Sequence, residues 1–253
     1  INTEFGSSGY VDIDLNILDL WNIELADSKL QFKSINYNEF SLKSAKFGMK
    51  SRDGILYLNG DIASGQPYST NFKFNSNIQQ DKVGNNIIAE ITDLSGMLRS
   101  VSFEKGGDIR VISGSDNIFN VQGLKIDQGV FNLNGVYKKD SIKMNMDLKQ
   151  VPLAALPDVF SSALNGAFLD SKIALSGTNS KPELDIDAEL SAINFDDNNN
   201  LSMKVKSKYS RNKIEMHSRV DGQDRELASF DVVLPVEFSI EPFIFAVNKK
   251  QKM

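Results

Sequence analysis

Apolar and polar residues alternate with a period of two along nearly the whole chain, and no other feature constrains its fold as strongly. A period of two sends successive side chains to opposite faces of a strand, so each run has one apolar and one wetted face. In the first run Val11, Ile13, Leu15 and Ile17 share a face, with Asp12, Asp14 and Asn16 opposite. The pattern returns in Phe72, Phe74 and Ile78, in Phe131 and Leu133, and in Ile142, Met144, Met146 and Leu148. Further on it is carried by Leu184, Ile186, Ala188 and Leu190 around Asp185, Asp187 and Glu189, by Val205 among Lys204, Lys206 and Lys208, and by Ile214 and Met216 around Glu215 and His217.

Turn residues separate the runs: Ser51-Arg52-Asp53-Gly54, Lys105-Gly106-Gly107-Asp108, Lys138-Lys139-Asp140, Asp196 to Asn200, and Ser210-Arg211-Asn212. Such connections are too short for crossover helices, so neighbouring strands are expected to pair antiparallel, in a meander. A Leu-x-Gly element recurs at Gly60, Gly96, Gly135, Gly166 and Gly177, and its glycines are read as bends or bulges that let the sheet curl. One stretch departs from the alternation. Leu153, Leu156, Phe160 and Leu164 follow helical spacing in "VPLAALPDVFSSALNG", which predicts a short helical plug that must pack on something to persist.

Roughly a dozen or more strands about 4.8 Å apart make a very wide sheet, and open sheets of that width curl or split into layers. Its apolar face cannot lie bare in water, and the sequence offers almost no helix to cover it. A sandwich, a closed barrel and a trough holding an apolar guest are the remaining solutions. The expected architecture is all-β, an elongated antiparallel meander curled into a U-shaped trough with the plug near 153–164. Residues 1–253 are read as one elongated segment, with a sub-boundary placed near 150–165.

The net charge of −5, from 28 Lys+Arg against 33 Asp+Glu, gives no basic surface to follow phosphates, so no nucleic-acid partner is expected. The absence of cysteine removes disulfides, thiolate metal sites and cysteine nucleophiles. No apolar run reaches the length of about 18 residues that spans a bilayer. Opening on Ile1 rather than Met, the chain is expected to be an internal piece of a longer protein.

Other residues that could carry chemistry have plainer readings. His217, the single histidine, lies on a polar strand face without the partners of a triad or metal site. The pairs Asp12/Asp14 and Asp185/Asp187 have the look of a glycosidase pair but sit on wetted faces, and Trp21, the lone tryptophan, falls in an apolar run rather than on a sugar platform. Asp196, Asn198 and Asn200 resemble the start of a calcium loop that lacks its glycine and late glutamate. Lys204, Lys206 and Lys208 are expected to lie opposite Asp185, Asp187 and Glu189 across a hairpin. No catalytic residue, metal or cofactor is expected.

The stretch from Val151 to Leu190 resembles the repeat of the TamB and wider AsmA-like family. It holds an apolar-Pro-Leu plug, Val151-Pro152-Leu153, then Leu164-Asn165-Gly166, then Leu175-Ser176-Gly177-Thr178, then Pro182 and the alternating strand Leu184 to Leu190. The detailed similarity covers about 40 residues, and a looser one covers most of the chain. The resemblance implies a periplasmic segment of an inner-membrane-anchored protein that conducts phospholipid along a hydrophobic groove toward the outer membrane. The groove is then assigned to Ile13, Leu15, Ile17, Phe72, Phe74, Phe131, Leu133, Ile142, Met144, Met146, Leu148, Leu184, Ile186, Leu190, Val205, Ile214 and Met216. The plug is assigned to Leu153, Leu156, Phe160 and Leu164. Two rivals stand beside this reading: a module that supports assembly of outer-membrane β-barrel proteins through its strand edges, without carrying lipid, and a carbohydrate-active enzyme.

Overall fold

A computed structural model describes residues 10–14, 17–19, 24–37, 40–65, 69–81, 83–98, 100–155, 164, 166–195, 198–222 and 225–247. The chain forms two compact units, residues 1–114 with 123–127 and residues 115–122 with 128–253. Both are antiparallel meanders, as the alternation and short turns require.

In the first unit, β1 (Tyr10–Asp14) and β2 (Ile17–Asp19) pair with β3 (Glu24–Tyr37). The meander continues through β4 (Phe40–Arg52), β5 (Ile55–Ser64), β6 (Thr70–Asp81) and β7 (Asn86–Leu98), each paired with the next. Strand β7 then pairs with both β8 (Val101–Glu104) and β9 (Ile109–Ser113). Strand β10 (Asn117–Ile126) is divided, with Gly123–Ile126 in the first unit. The second unit runs through β11 (Gly129–Tyr137), β12 (Ser141–Pro152), β13 (Phe168–Thr178), β14 (Lys181–Phe195), β15 (Asn198–Ser210), β16 (Lys213–Asp221) and β17 (Glu226–Ser239). Each again pairs with its successor, and β17 closes on β18 (Ile244–Val247).

Turn chemistry explains the hairpins. Asp53 and Gly54, and likewise Arg211 and Asn212, all have positive φ, the backbone of two-residue turns whose twist matches the strands they join. Asn198 to Asn200 stand in β15 rather than in a turn, and Asp196 lies outside the described residues.

The Leu-x-Gly glycines do not all bend the chain. Gly166 and Gly177 do have positive φ, but Gly60, Gly96 and Gly135 lie within regular strands and make room for a neighbour. A Cβ on Gly96 would fall 2.6 Å from Cζ of Phe103, one on Gly135 would fall 2.6 Å from Cγ of Met144, and one on Gly60 would run into the ring of Phe74. The bulges are elsewhere, at polar or small residues. Gln150 and Ala192 have positive φ, and the pairing slips beside Gln150 between Leu148 and Val151 and beside Ala192 between Leu190 and Ile193. Each inserts one residue, so the next apolar residue returns to the apolar face. Asp170 supports the first of these slips, accepting the backbone N–H of Gln150 at 3.1 Å and its side-chain amide at 2.6 Å.

Candidate functional site

The registers of the second unit stack its apolar residues into rows that cross the strands. One row runs Leu133, Met146, Ile173, Ile186, Ser207, Met216 and Val232. The next runs Gly135, Met144, Leu175, Leu184, Tyr209, Ile214 and Leu234. On the far side of the first row lie Phe131, Leu148, Ser171, Ala188, Val205, Ser218 and Phe230. Leu190 sits beyond them, between Leu169 and Met203. Twelve of the sequence-assigned groove residues therefore share one face here, from Phe131 to Met216. Phe72 and Phe74 belong to the apolar face of the first unit, where they adjoin Gly96 and Gly60 in register. Ile13 pairs with Leu30 and Ile17 with Ala26; the side chains of both, and all of Leu15, lie outside the described residues, as does Trp21.

The middle of this face is half-buried: Met144, Met146, Leu148, Ile173, Leu175, Ile186, Met203 and Met216 all keep part of their surface open. Burial is complete at the two ends. At one end β12 runs out into Val151, Pro152 and a 3-10 turn, Leu153–Ala155. The Leu153 N–H donates to the Ala167 carbonyl at 2.9 Å, and the Ala167 N–H donates to the Leu164 carbonyl at 3.1 Å. Val151, Leu153 and Ala167 are buried, so this is the anchored part of the predicted plug; Leu156 and Phe160 lie outside the described residues.

The other end holds a device that the alternation did not announce. Past Pro235, the partner of Lys213, the chain continues across the tips of three hairpins. The Val236 N–H donates to the Asn212 carbonyl at 2.9 Å, and the Ile240 N–H to the Asn179 carbonyl at 2.7 Å. The Tyr137 hydroxyl donates to Glu241 at 2.7 Å. Tyr209, buried beside Val236 in this end of the unit, accepts the Phe238 N–H at 3.0 Å on its hydroxyl. We call Val236–Glu241 the strap. Ile142 and Pro182 are also buried here, which takes Ile142 out of any open groove. The available sequence signal was the pair Pro235-Val236, where a proline breaks the pairing donor of an otherwise regular strand.

The opposite face is polar and charge-alternating. One cross-strand row reads Asp147, Lys172, Asp187, Lys206, His217 and Asp231. The expected pairing of acids and lysines is present: Asp185, Asp187 and Glu189 stand opposite Lys208, Lys206 and Lys204, with Lys206–Asp187 and Lys204–Glu189 both 3.7 Å apart. His217 is exposed, its Nδ1 2.8 Å from Asp231. Lys213 holds the Glu215 carboxyl below the usual carboxylate range by a hydrogen bond, and the Asp221 carboxylate raises the Arg219 guanidinium through another. Asp12 and Asp14 are exposed opposite Gln31 and Lys29. Among the described residues no group of three or more acidic or histidine side chains could hold a metal ion.

Among the described residues no helix is long and apolar enough to cross a membrane. Comparison with protein-family models, with curated proteins and with solved structures finds no match. The chain is defined, then, by its fold: an all-β protein of antiparallel meanders with one apolar and one charge-alternating face.

Proposed function

We propose that the apolar face of the second unit carries the acyl chains of phospholipids, as a non-enzymatic segment of a periplasmic conduit between inner and outer membranes. The observation that supports this reading is the contiguous set of apolar rows, half-exposed in the middle and closed at both ends. Each methylene moved from water onto such a face gains roughly 0.8 kcal/mol. Four methionines, Met144, Met146, Met203 and Met216, lie on it, and their unbranched, polarizable side chains adapt to irregular guests. Similar neighbours in successive rows offer near-equal sites, which suits passage better than one deep trap. The resemblance to the TamB and AsmA-like repeat supplies the compartment and the two membranes.

Organic extraction and mass spectrometry of the purified protein tests it. Phospholipid is expected in near-stoichiometric amount, and little in a folded Met144→Arg/Met146→Arg variant; a parent protein free of lipid would overturn the reading.

A second reading, a module that pairs with strands of an outer-membrane β-barrel protein, is supported by β17. Among the described residues its Leu227–Leu234 stretch pairs with β16 alone, and Leu227, Phe230, Val233 and Leu234 are all exposed. Such an edge can accept another strand. Blocking it by Val233→Pro, at a position on the polar face opposite Glu215, should abolish capture of a barrel-strand peptide while leaving lipid loading intact.

A further inference from the structure

Beside the strap, the second unit has an open surface pocket of about 720 Å³, within the size range of small-ligand sites. Its walls are the turn carrying Lys139 and Asp140, the turn carrying Asn179 and Ser180, and Glu241 of the strap. Tyr137 is common to the pocket and the apolar face, since it lies in register with Ile142.

The charges in this pocket are of two kinds. Glu241 is a positioned anion, accepting the Tyr137 hydroxyl at 2.7 Å and the Asn179 amide at 3.4 Å. The bond to Glu241 raises the Tyr137 hydroxyl above its ordinary range, so it remains a donor. Asn179 is itself fixed: its amide donates to the Lys139 carbonyl at 2.8 Å, and its carbonyl receives Ile240 and the Ser239 hydroxyl. Its side-chain oxygen is buried without a hydrogen-bond partner, an acceptor that calls for a donor. Lys138 is tied to Asp116 at 2.9 Å, whereas Lys139 and Asp140 form no ion pair among the described residues. One ammonium and two carboxylates thus border a single pocket, which Thr178 and Ser180 also line.

A purely anionic guest would face two carboxylates, and a purely cationic one would face Lys139. A guest with both signs meets a partner for each. We propose that the pocket binds a phosphate ester bearing a primary ammonium, the phosphoethanolamine group: the ammonium donates to Glu241 and Asp140, and the phosphate accepts from Lys139 and the hydroxyls of Thr178 and Ser180. In the lipid form, which rests on the function proposed above, the acyl chains pass Tyr137 onto the apolar face.

The test has two arms. The protein is incubated with vesicles of equal phosphatidylethanolamine and phosphatidylglycerol, and bound lipid is quantified by mass spectrometry for the parent, Lys139→Ala and Glu241→Gln, with circular dichroism to confirm folding. Free phosphoethanolamine and glycerol phosphate are titrated calorimetrically in parallel. The expected result is enrichment of the ethanolamine lipid, reduced roughly five- to tenfold by either substitution, as the loss of one charge-assisted contact gives, with total lipid unchanged. Lipid bound in the vesicle ratio by all three proteins would overturn the headgroup site and leave the apolar-face reading standing. No bound lipid, with free phosphoethanolamine binding that Lys139→Ala removes, would keep the site for a soluble phosphate ester and reject the lipid reading. Neither lipid nor phosphoethanolamine binding would reject both.

Discussion

The apolar faces of the two units are built from the same alternation, are half-buried in both, and are lined with side chains of different shape. In the first unit, rings lie over glycines. Phe74 covers Gly60 and Phe103 covers Gly96, while Phe72 packs 5.5 Å from Phe74 and 5.7 Å from Phe103 between ring centroids. In the second unit the central row carries leucine, methionine, isoleucine and valine, with Phe131 and Phe230 on the outer strands of the row beside it, and at the strap end Tyr209 and Phe238 meet edge-on at 5.5 Å. Pairing a ring with a glycine lets a sheet cover its own face. Flexible side chains of even size leave a face that a guest can finish. The difference teaches that an apolar period of two does not by itself define a groove; the residue sizes that face each other across the strands decide it.

The largest effect should come from the anchored end of the second unit. Tyr209→Ala removes a buried ring and its bond to the Phe238 N–H, and should cost about 3–5 kcal/mol in urea denaturation, against about 1–2 for Tyr209→Phe, which keeps the ring but orphans that donor and removes the hydroxyl's own donation to the Phe238 carbonyl and Asn212 Oδ1. In the first unit, Phe74→Ala uncovers Gly60 and should cost about 2–4 kcal/mol. If the ring-on-glycine pairing is right, adding Gly60→Ala to that variant restores part of the loss, whereas Gly60→Ala alone destabilises; additive losses would break the comparison.

In the open middle of the second unit, Met146→Ala should cost only about 1–2 kcal/mol, because the side chain is half-buried and leaves no closed cavity. On the polar face, Lys206→Glu places like charges opposite Asp187 and should cost roughly 0.5–1 kcal/mol, shrinking at high salt. Smallest is a pH effect. Glu215 has its carboxyl lowered by Lys213, so its contribution is present above the unfolded carboxylate value and is lost as pH falls through the folded one. Lys213→Met should raise that carboxyl toward its ordinary value in an NMR titration; an unchanged titration would remove the pair from the account.

Much of this was legible from the residues. Alternation placed Phe131 through Met216 on one face, and the acid and lysine triplets on either side of a hairpin announced their own register. Interrupted alternation also held a signal that goes beyond faces: in "LKQVP" and "LSAIN" one extra residue separates apolar positions, and there the strands bulge. The glycines misled, because a glycine under a ring and a glycine in a turn look alike in one dimension. The strap was hidden for a related reason. Val236, Phe238 and Ile240 alternate like any strand, and the first two pair with Val247 and Phe245 of β18, but their N–H groups donate to the Asn212 carbonyl, the Tyr209 hydroxyl and the Asn179 carbonyl, brought together only when the hairpin tips align.

The central claim is that acyl chains lodge among the flexible side chains of the second unit's apolar face and not on the first unit's, where rings pack on glycines and on one another. A phospholipid with a photoreactive group midway along one acyl chain, crosslinked to the protein and mapped by mass spectrometry, tests it most directly. The account predicts adducts at Met144, Met146, Met203 and Met216 and none at Phe72, Phe74 or Phe103. Adducts centred on those phenylalanines, or no adduct at the methionines, would contradict it.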